Sequence, residues 1–252
     1  MLQPLIDWLY GLPFVQWLIE LAPRFYRAFI EADRWKLYLQ GLVVTFEITI
    51  AAIAMGLVLG LFVAMVRTAH DQQRPGRRNP LLGLVNAVCK VYTTVIRGTP
   101  MMVQILIWAF VIFKGERNKV MVGMVGMGVN AGAYISEIIR GGLMSVDPGQ
   151  SEAGRSLGLG YVDTMRFIII PQAFKNILPS MGNELVTLFK DTSLVNAIGA
   201  AEMTYYANRI GGKTYDYMPP LIGIACIYLV FVIILTWLQG RLERRLRQSD
   251  RR

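Results

Sequence analysis

Long apolar runs separated by short polar stretches fill most of the chain after residue 40. The first run, 41–66, carries one charge, Glu47. About twenty apolar residues at 1.5 Å each cross the hydrocarbon core of a bilayer, so this run predicts a spanning helix. The next, 81–113, is too long for one straight crossing and is interrupted by Arg97-Gly98-Thr99-Pro100. A Gly and a Pro two residues apart break a helix and free backbone groups at membrane depth. Runs at 120–139, 167–189 and 218–238 follow, the fourth expected to be broken by Pro171 and Pro179. The pattern predicts an all-α polytopic membrane protein with five transmembrane helices.

The chain before residue 41 differs. It mixes apolar and aromatic residues with balanced charge, and Pro13 and Pro23 break it before any stretch is long enough to span. Trp8, Trp17 and Trp35 suit a membrane–water interface. The expected organisation is an interfacial segment at 1–40, a transmembrane domain at 41–240 and a basic tail at 241–252. The amino terminus lacks a basic region and a small-residue cleavage site, so no signal peptide is expected.

Charge sets the orientation. The formal net charge of +9 is the kind of excess that nucleic-acid binders carry, but here the basic residues flank the spans. Arg67, Arg74, Arg77 and Arg78 stand against Asp71 after the first span. Arg241, Arg244, Arg245, Arg247, Arg251 and Arg252 close the chain. Basic loops stay in the cytoplasm, which predicts the N-terminus outside and the C-terminus cytoplasmic. Cys89 and Cys226 both lie in apolar context and read as small buried hydrophobes, with no disulfide or metal framework.

Between the third and fourth spans lies the longest internal polar stretch, residues 146–171. Asp147-Pro148-Gly149 is turn chemistry, Ser151 is placed to cap a helix, and Gly158 and Gly160 end it. The stretch predicts one short, exposed cytoplasmic helix. Its residues Glu152, Ala153, Gly154, Gly158, Ile168, Ile170 and Pro171 resemble the Glu-Ala-Ala loop of ABC-importer permeases, the membrane subunits of binding-protein-dependent uptake systems. Gly154 replaces an Ala of that pattern, and Ile170 a Leu. Arg97-Gly98-Thr99-Pro100 followed by Met101-Met102-Val103-Gln104 resembles the polar-amino-acid subgroup of the same family.

The resemblance implies that Glu152, Ala153, Gly154, Arg155, Leu157 and Gly158 form a coupling helix that docks into a cytoplasmic ATPase. It also implies a pair of permease subunits, identical or paralogous, two ATP-binding subunits inside, and a substrate-binding protein outside, in a bacterial inner membrane. ATP and Mg would belong to the partner ATPase, with no cofactor in this chain.

Ionisable residues at membrane depth cost about 2.5–3.5 kcal/mol each on insertion scales, so they pair or face a cavity. Here they are Glu137, Glu184, Lys190 and Asp191, with Asn183, Thr187 and Thr192 near them and Arg97 at the helix break. Asn183, Glu184, Thr187 and Lys190–Asp191 recur at helical spacing, which predicts a shared face. Acids, a base and hydroxyls on one face suit a zwitterion, with carboxylate to Lys and ammonium to Glu or Asp. Internal pairing between helices is the equal alternative. The run from Asn183 to Leu194 also resembles the segment lining the path in amino-acid permeases.

Residues 207–214 match a loose nucleotide-loop pattern, yet no strand precedes them and Tyr215-Asp216-Tyr217 follows. His70 is the only histidine, and no metal or nucleophile–base spacing occurs, so no enzyme is expected. An ion- or proton-coupled secondary transporter is the rival reading. Such folds repeat their broken helices, and this chain has one Arg-Gly-Thr-Pro break without a second copy.

Overall fold

The computed structural model describes residues 12–73 and 79–248, and every regular element in them is helical. Helix α1 runs Pro13–Phe29, α2 Trp35–Asp71, α3 Pro80–Gly98, α4 Met101–Ile107, α5 Lys119–Met144, α6 Pro148–Ser156, α7 Tyr161–Thr164, α8 Ile170–Asp191, α9 Met203–Thr214 and α10 Met218–Gln248. Single π-helical turns follow α4 and α7, at Trp108–Ile112 and Met165–Ile169. Trp8, Arg74, Arg77, Arg78, Arg251 and Arg252 lie outside the described residues.

Among the described residues, four helices are long and apolar enough to cross a membrane: α2, α3, α5 and α10. The expected fifth, α8, has 22 residues, about 33 Å, but is not apolar enough. Its polar side chains line cavities, as shown below. Pro171 opens α8 in its first turn, and the helix runs unbroken through Pro179. Gln239 Nε2 of α10 donates to the Pro179 carbonyl at 2.9 Å and ties the two helices together there.

Helices α2 and α5 make the centre of the bundle. Ile48 and Ala52 pack on Met127, Ala131 and Ile135, all essentially inaccessible. The Gly56–Gly60 pair permits this approach. A β-carbon at Gly56 would sit 2.7 Å from Ala131 Cβ, and one at Gly60 2.7 Å from Ile135 Cγ2. Leu188 of α8 and Val195 close the same core. Large apolar residues on the outer faces remain exposed, Val58 and Val230 among them, as a lipid-facing surface would be.

Helix α1 contains Pro23 without breaking. The expected surface segment is docked: Phe29 stacks on Tyr38, and a β-carbon at Gly223 of α10 would lie 1.9 Å from the Phe29 ring. Arg24 holds Asp216 through two hydrogen bonds of 2.6 and 2.8 Å. That pairing lowers the Asp216 pKa and raises that of Arg24.

The exposed helix between α5 and α8 begins earlier than Ser151. Asp147 caps it, accepting from Gly149 N at 2.8 Å, and Pro148 occupies the first turn, where its missing N–H costs nothing. Its end is a Schellman motif: Gly158 N donates to Arg155 O and Leu159 N to Gly154 O, with Gly158 at φ +81°.

Candidate functional site

The broken helix builds the site. Thr99 and Pro100 are extended between α3 and α4, leaving carbonyls without helical donors. Gln104 satisfies them: its Nε2 donates to Ile96 O at 2.7 Å, Thr99 O at 3.1 Å and Thr99 Oγ1 at 2.8 Å. Its Oε1 accepts from Asn130 Nδ2 of α5 at 2.9 Å. The break is therefore a fixed shape, tied to the centre of the bundle.

Beside it, Thr99, Asn130, Tyr134, Glu184, Thr187 and Asp191 line a small cavity of about 160 Å³. Its ionisable residues are both acids. Tyr134 also borders a second cavity of about 830 Å³, lined by Arg97, Glu137, Ser145, Lys175, Asn176 and Ser180. Here cations prevail. Glu137 binds Arg67 of α2, lies 3.0 Å from Arg140 Nη2 and 4.0 Å from Arg97 Nη1. The Arg97 guanidinium stands 5.4 Å from the centre of the Tyr134 ring. Glu137 thus aligns three arginines and is itself a paired carboxylate.

The expected single face on α8 divides. Glu184, Thr187 and Asp191 share the acidic cavity, whereas Lys190 lines a separate, largely apolar one with Ser193, Thr204 and Tyr228. Asn183 lies next to α10, where Gln239 Nε2 donates to its Oδ1 at 3.3 Å. Thr192 is fully buried and donates to Phe189 O at 2.7 Å. At about 100° per residue, Asn183, Glu184, Thr187, Lys190 and Asp191 form an arc of about 120°, with Asn183 and Lys190 at one edge and Glu184 and Asp191 at the other, so the two edges meet different neighbours.

On the exposed helix, Glu152, Ala153, Arg155, Leu157 and Gly158 are exposed, with Leu157 79% accessible. Gly154 is buried instead: a β-carbon there would be 3.0 Å from Thr164 Cγ2 and 3.1 Å from Ile168 Cδ1. That contact explains glycine where the family pattern has alanine.

Sequence reasoning missed Gln104, Asn130, Arg67 and Glu202 as a group. Glu202 is fully buried and caps α9, accepting from Thr204 N and Tyr205 N at 2.8 Å each, while Tyr228 OH donates to it at 3.1 Å. Glu is an uncommon cap, so its spacing gave no signal. The nucleotide-loop pattern at 207–214 lies inside α9, where no phosphate loop can form. Among the described residues no three His, Cys, Asp or Glu side chains group to hold a metal.

The comparisons with known proteins agree with this architecture. The chain is 35% identical over 215 residues to the arginine transport system permease protein ArtQ of Bacillus subtilis, covering 84% of this chain and 93% of ArtQ. It is 34% identical to the glutamine transport system permease protein GlnP of Escherichia coli K12, with the same coverage. A crystal structure of an amino acid ABC transporter with histidines matches at a TM-score of 0.74 and 38% identity, covering 83% of this chain and 94% of that one. The MetNI methionine ABC transporter, in an inward-facing form, shares the fold at a TM-score of 0.71 and 18% identity. The pattern described as binding-protein-dependent transport system inner membrane component spans residues 81–248, and the chain belongs to that family of transport permeases.

Proposed function

We propose that this chain is the membrane subunit of a bacterial ABC importer for polar amino acids. It lies in the inner membrane with its N-terminus outside and its C-terminus in the cytoplasm. It works as one of two permease subunits, with two ATP-binding subunits inside and a substrate-binding protein outside. ATP hydrolysis takes place in those partners, and this chain is not itself an enzyme. The names of ArtQ and GlnP support the substrate class.

The observation that carries the reading is Tyr134, which borders both an acid-lined and an arginine-lined cavity. An amino acid passing it meets Glu184 and Asp191 with its ammonium and Arg97 with its carboxylate. Arg97 takes the part expected of Lys190, which opens elsewhere. Thr187 and Asn130 add polar contacts, and Glu137 orients Arg97 rather than touching substrate. Asn183 and Thr192 support the surrounding helices.

Movement of the partner ATPases acts on the exposed face of α6 around Glu152, Arg155, Leu157 and Gly158. Short α7 and its π-helical turn join α6 to α8, which carries Glu184 and Asp191. A rigid displacement of α6 therefore reaches the acidic cavity along one stretch of chain, and alternating access follows.

The test is uptake of labelled amino acids into proteoliposomes holding the complete complex. Uptake should require ATP inside the cytoplasmic compartment and the binding protein on the other side. Glu184→Gln and Arg97→Gln should impair it with the complex intact. Uptake driven by an ion gradient without ATP would overturn the reading.

A further inference from the structure

The charges along the proposed path are unevenly shared. Around Glu137 stand Arg67, Arg97 and Arg140, so one carboxylate faces three guanidinium groups. The small cavity that shares Tyr134 has the opposite imbalance. Glu184 and Asp191 line it, and neither takes part in an ion pair among the described residues. Thr99, Met101, Asn130, Thr187 and Leu188 complete its wall with Tyr134, and none of them carries a charge. Lys190 precedes Asp191 in the chain but opens into a different cavity.

A carboxylate at membrane depth without a counter-charge is costly, and a second one in the same small cavity adds to that cost. An amino acid with a neutral side chain brings one ammonium. It pairs that with one acid and its carboxylate with Arg97, and the other acid stays unmatched. An anionic side chain adds a third carboxylate and worsens the mismatch. A cationic side chain removes it. The spacing along α8 agrees. Pro179 and Ser180 border the arginine-lined cavity, Glu184 follows about one turn later, and Asp191 about two turns beyond that. At 1.5 Å per residue, Glu184 and Asp191 are about 10 Å apart along the helix axis. That is too far for one ammonium to serve both, and it suits two cations held apart by an extended aliphatic stem.

We propose that this chain carries basic amino acids, those whose side chain ends in an ammonium or a guanidinium. The substrate carboxylate meets Arg97, the α-ammonium meets Glu184, and the side-chain cation meets Asp191. This rests on the import function proposed above and adds to it the charge of the substrate. Glu184 takes the α-ammonium because it lies nearer the arginine-lined cavity, where the carboxylate is held. Asp191 then sets the preference among side chains, and Thr187 lies between the two acids.

Arginine and citrulline test this, because they share a shape and differ in side-chain charge. Labelled arginine is bound to the purified complex of permease and ATPase with no binding protein present, so only sites in the complex itself are read. Unlabelled arginine and lysine should compete for it, and citrulline at least about tenfold more weakly. Asp191→Asn should weaken arginine about tenfold and bring citrulline level with it. Glu184→Gln should weaken both alike, since it removes the partner of a group that both possess. Citrulline competing as well as arginine in the wild type would overturn the proposal, and so would a complex that binds no arginine. A full preference for arginine surviving in Asp191→Asn would do the same. ATP-driven uptake of amino acids without regard to side-chain charge would leave the import function standing and the charge assignment rejected.

Discussion

Gln104 accepts a 2.9 Å hydrogen bond from Asn130 while its own amide bridges the carbonyls of Ile96 and Thr99. One side chain thus closes the helix break and anchors it to α5. Gln104→Leu strands those carbonyls and the Asn130 amide in a buried place. The expected cost is about 1–3 kcal/mol, read as a lower unfolding midpoint of the purified complex. Because Asn130 acts through Gln104, adding Asn130→Leu to Gln104→Leu should cost less than the two single changes summed.

The Arg24–Asp216 pair ties α1 to the start of α10, outside the spans. Pairing depresses the Asp216 pKa, so its contribution is present above the ordinary aspartate value, about 3.9, and is lost as pH falls through the lowered native value. Proteolysis within residues 13–29 should therefore accelerate only in acid, below about pH 4. Asp216→Asn should be cut readily at neutral pH and show little further change in acid. A wild-type profile in that variant would mean the pair does not hold α1.

Much of this fold was legible because bilayer physics writes it in the sequence. The Arg97–Pro100 break, the Gly56–Gly60 contact and the short helix ending at Gly158 each have a local residue signature, and each is present. Pro23 and Pro179 misled, since each lies inside a continuous helix although propensity alone would make it a breaker. The site was legible by residue type and less by grouping. Glu184 and Asp191 do share a cavity, but Lys190 belongs to another, and Arg97 joins Glu137 through a tertiary contact across helices. Glu202 and Gln104 make contacts set by packing between distant segments, which spacing along one segment does not encode.

Glu202 tests that last point. It accepts two backbone N–H groups of α9 and the Tyr228 hydroxyl while fully buried. Glu202→Ala leaves both backbone N–H groups without an acceptor and the Tyr228 hydroxyl with only Thr192 Oγ1, at 3.4 Å, and a loss of about 1–3 kcal/mol is expected. Tyr228→Phe removes one of the three bonds and should cost less. Hydrogen exchange should localise the effect of Glu202→Ala to residues 203–214.

Orientation is open to direct measurement. In a background with Cys226, which is exposed, replaced by Ser, a cysteine at Asn118 should react with an impermeant thiol reagent in intact cells. Cysteines at Gln73 and Gln248 should react only after the membrane is opened. Labelling of Gln73→Cys from outside would reverse the topology proposed from the basic loops.

The coupling surface allows a test that spares the fold. Gly158 sits at φ +81° with no heavy atom within 4 Å of where a β-carbon would be, so conformation constrains it and space does not. Asp tolerates the left-handed region better than most residues, and Gly158→Asp should leave α6 and the membrane assembly intact. Leu157, 79% exposed beside it, is likewise free of internal contacts that a change to Asp would cost. Each substitution puts a carboxylate on a surface proposed to be covered by the ATPase, where it must be desolvated without a partner, at a cost of several kcal/mol. Binding protein and substrate should then fail to stimulate ATP hydrolysis in the reconstituted complex, although the permease is inserted normally. Gly158→Val separates the causes: a β-branched residue at positive φ strains the loop itself, by about 1–3 kcal/mol, and should also loosen the end of α6. Full substrate-stimulated hydrolysis in both Gly158→Asp and Leu157→Asp would show that the ATPase docks elsewhere.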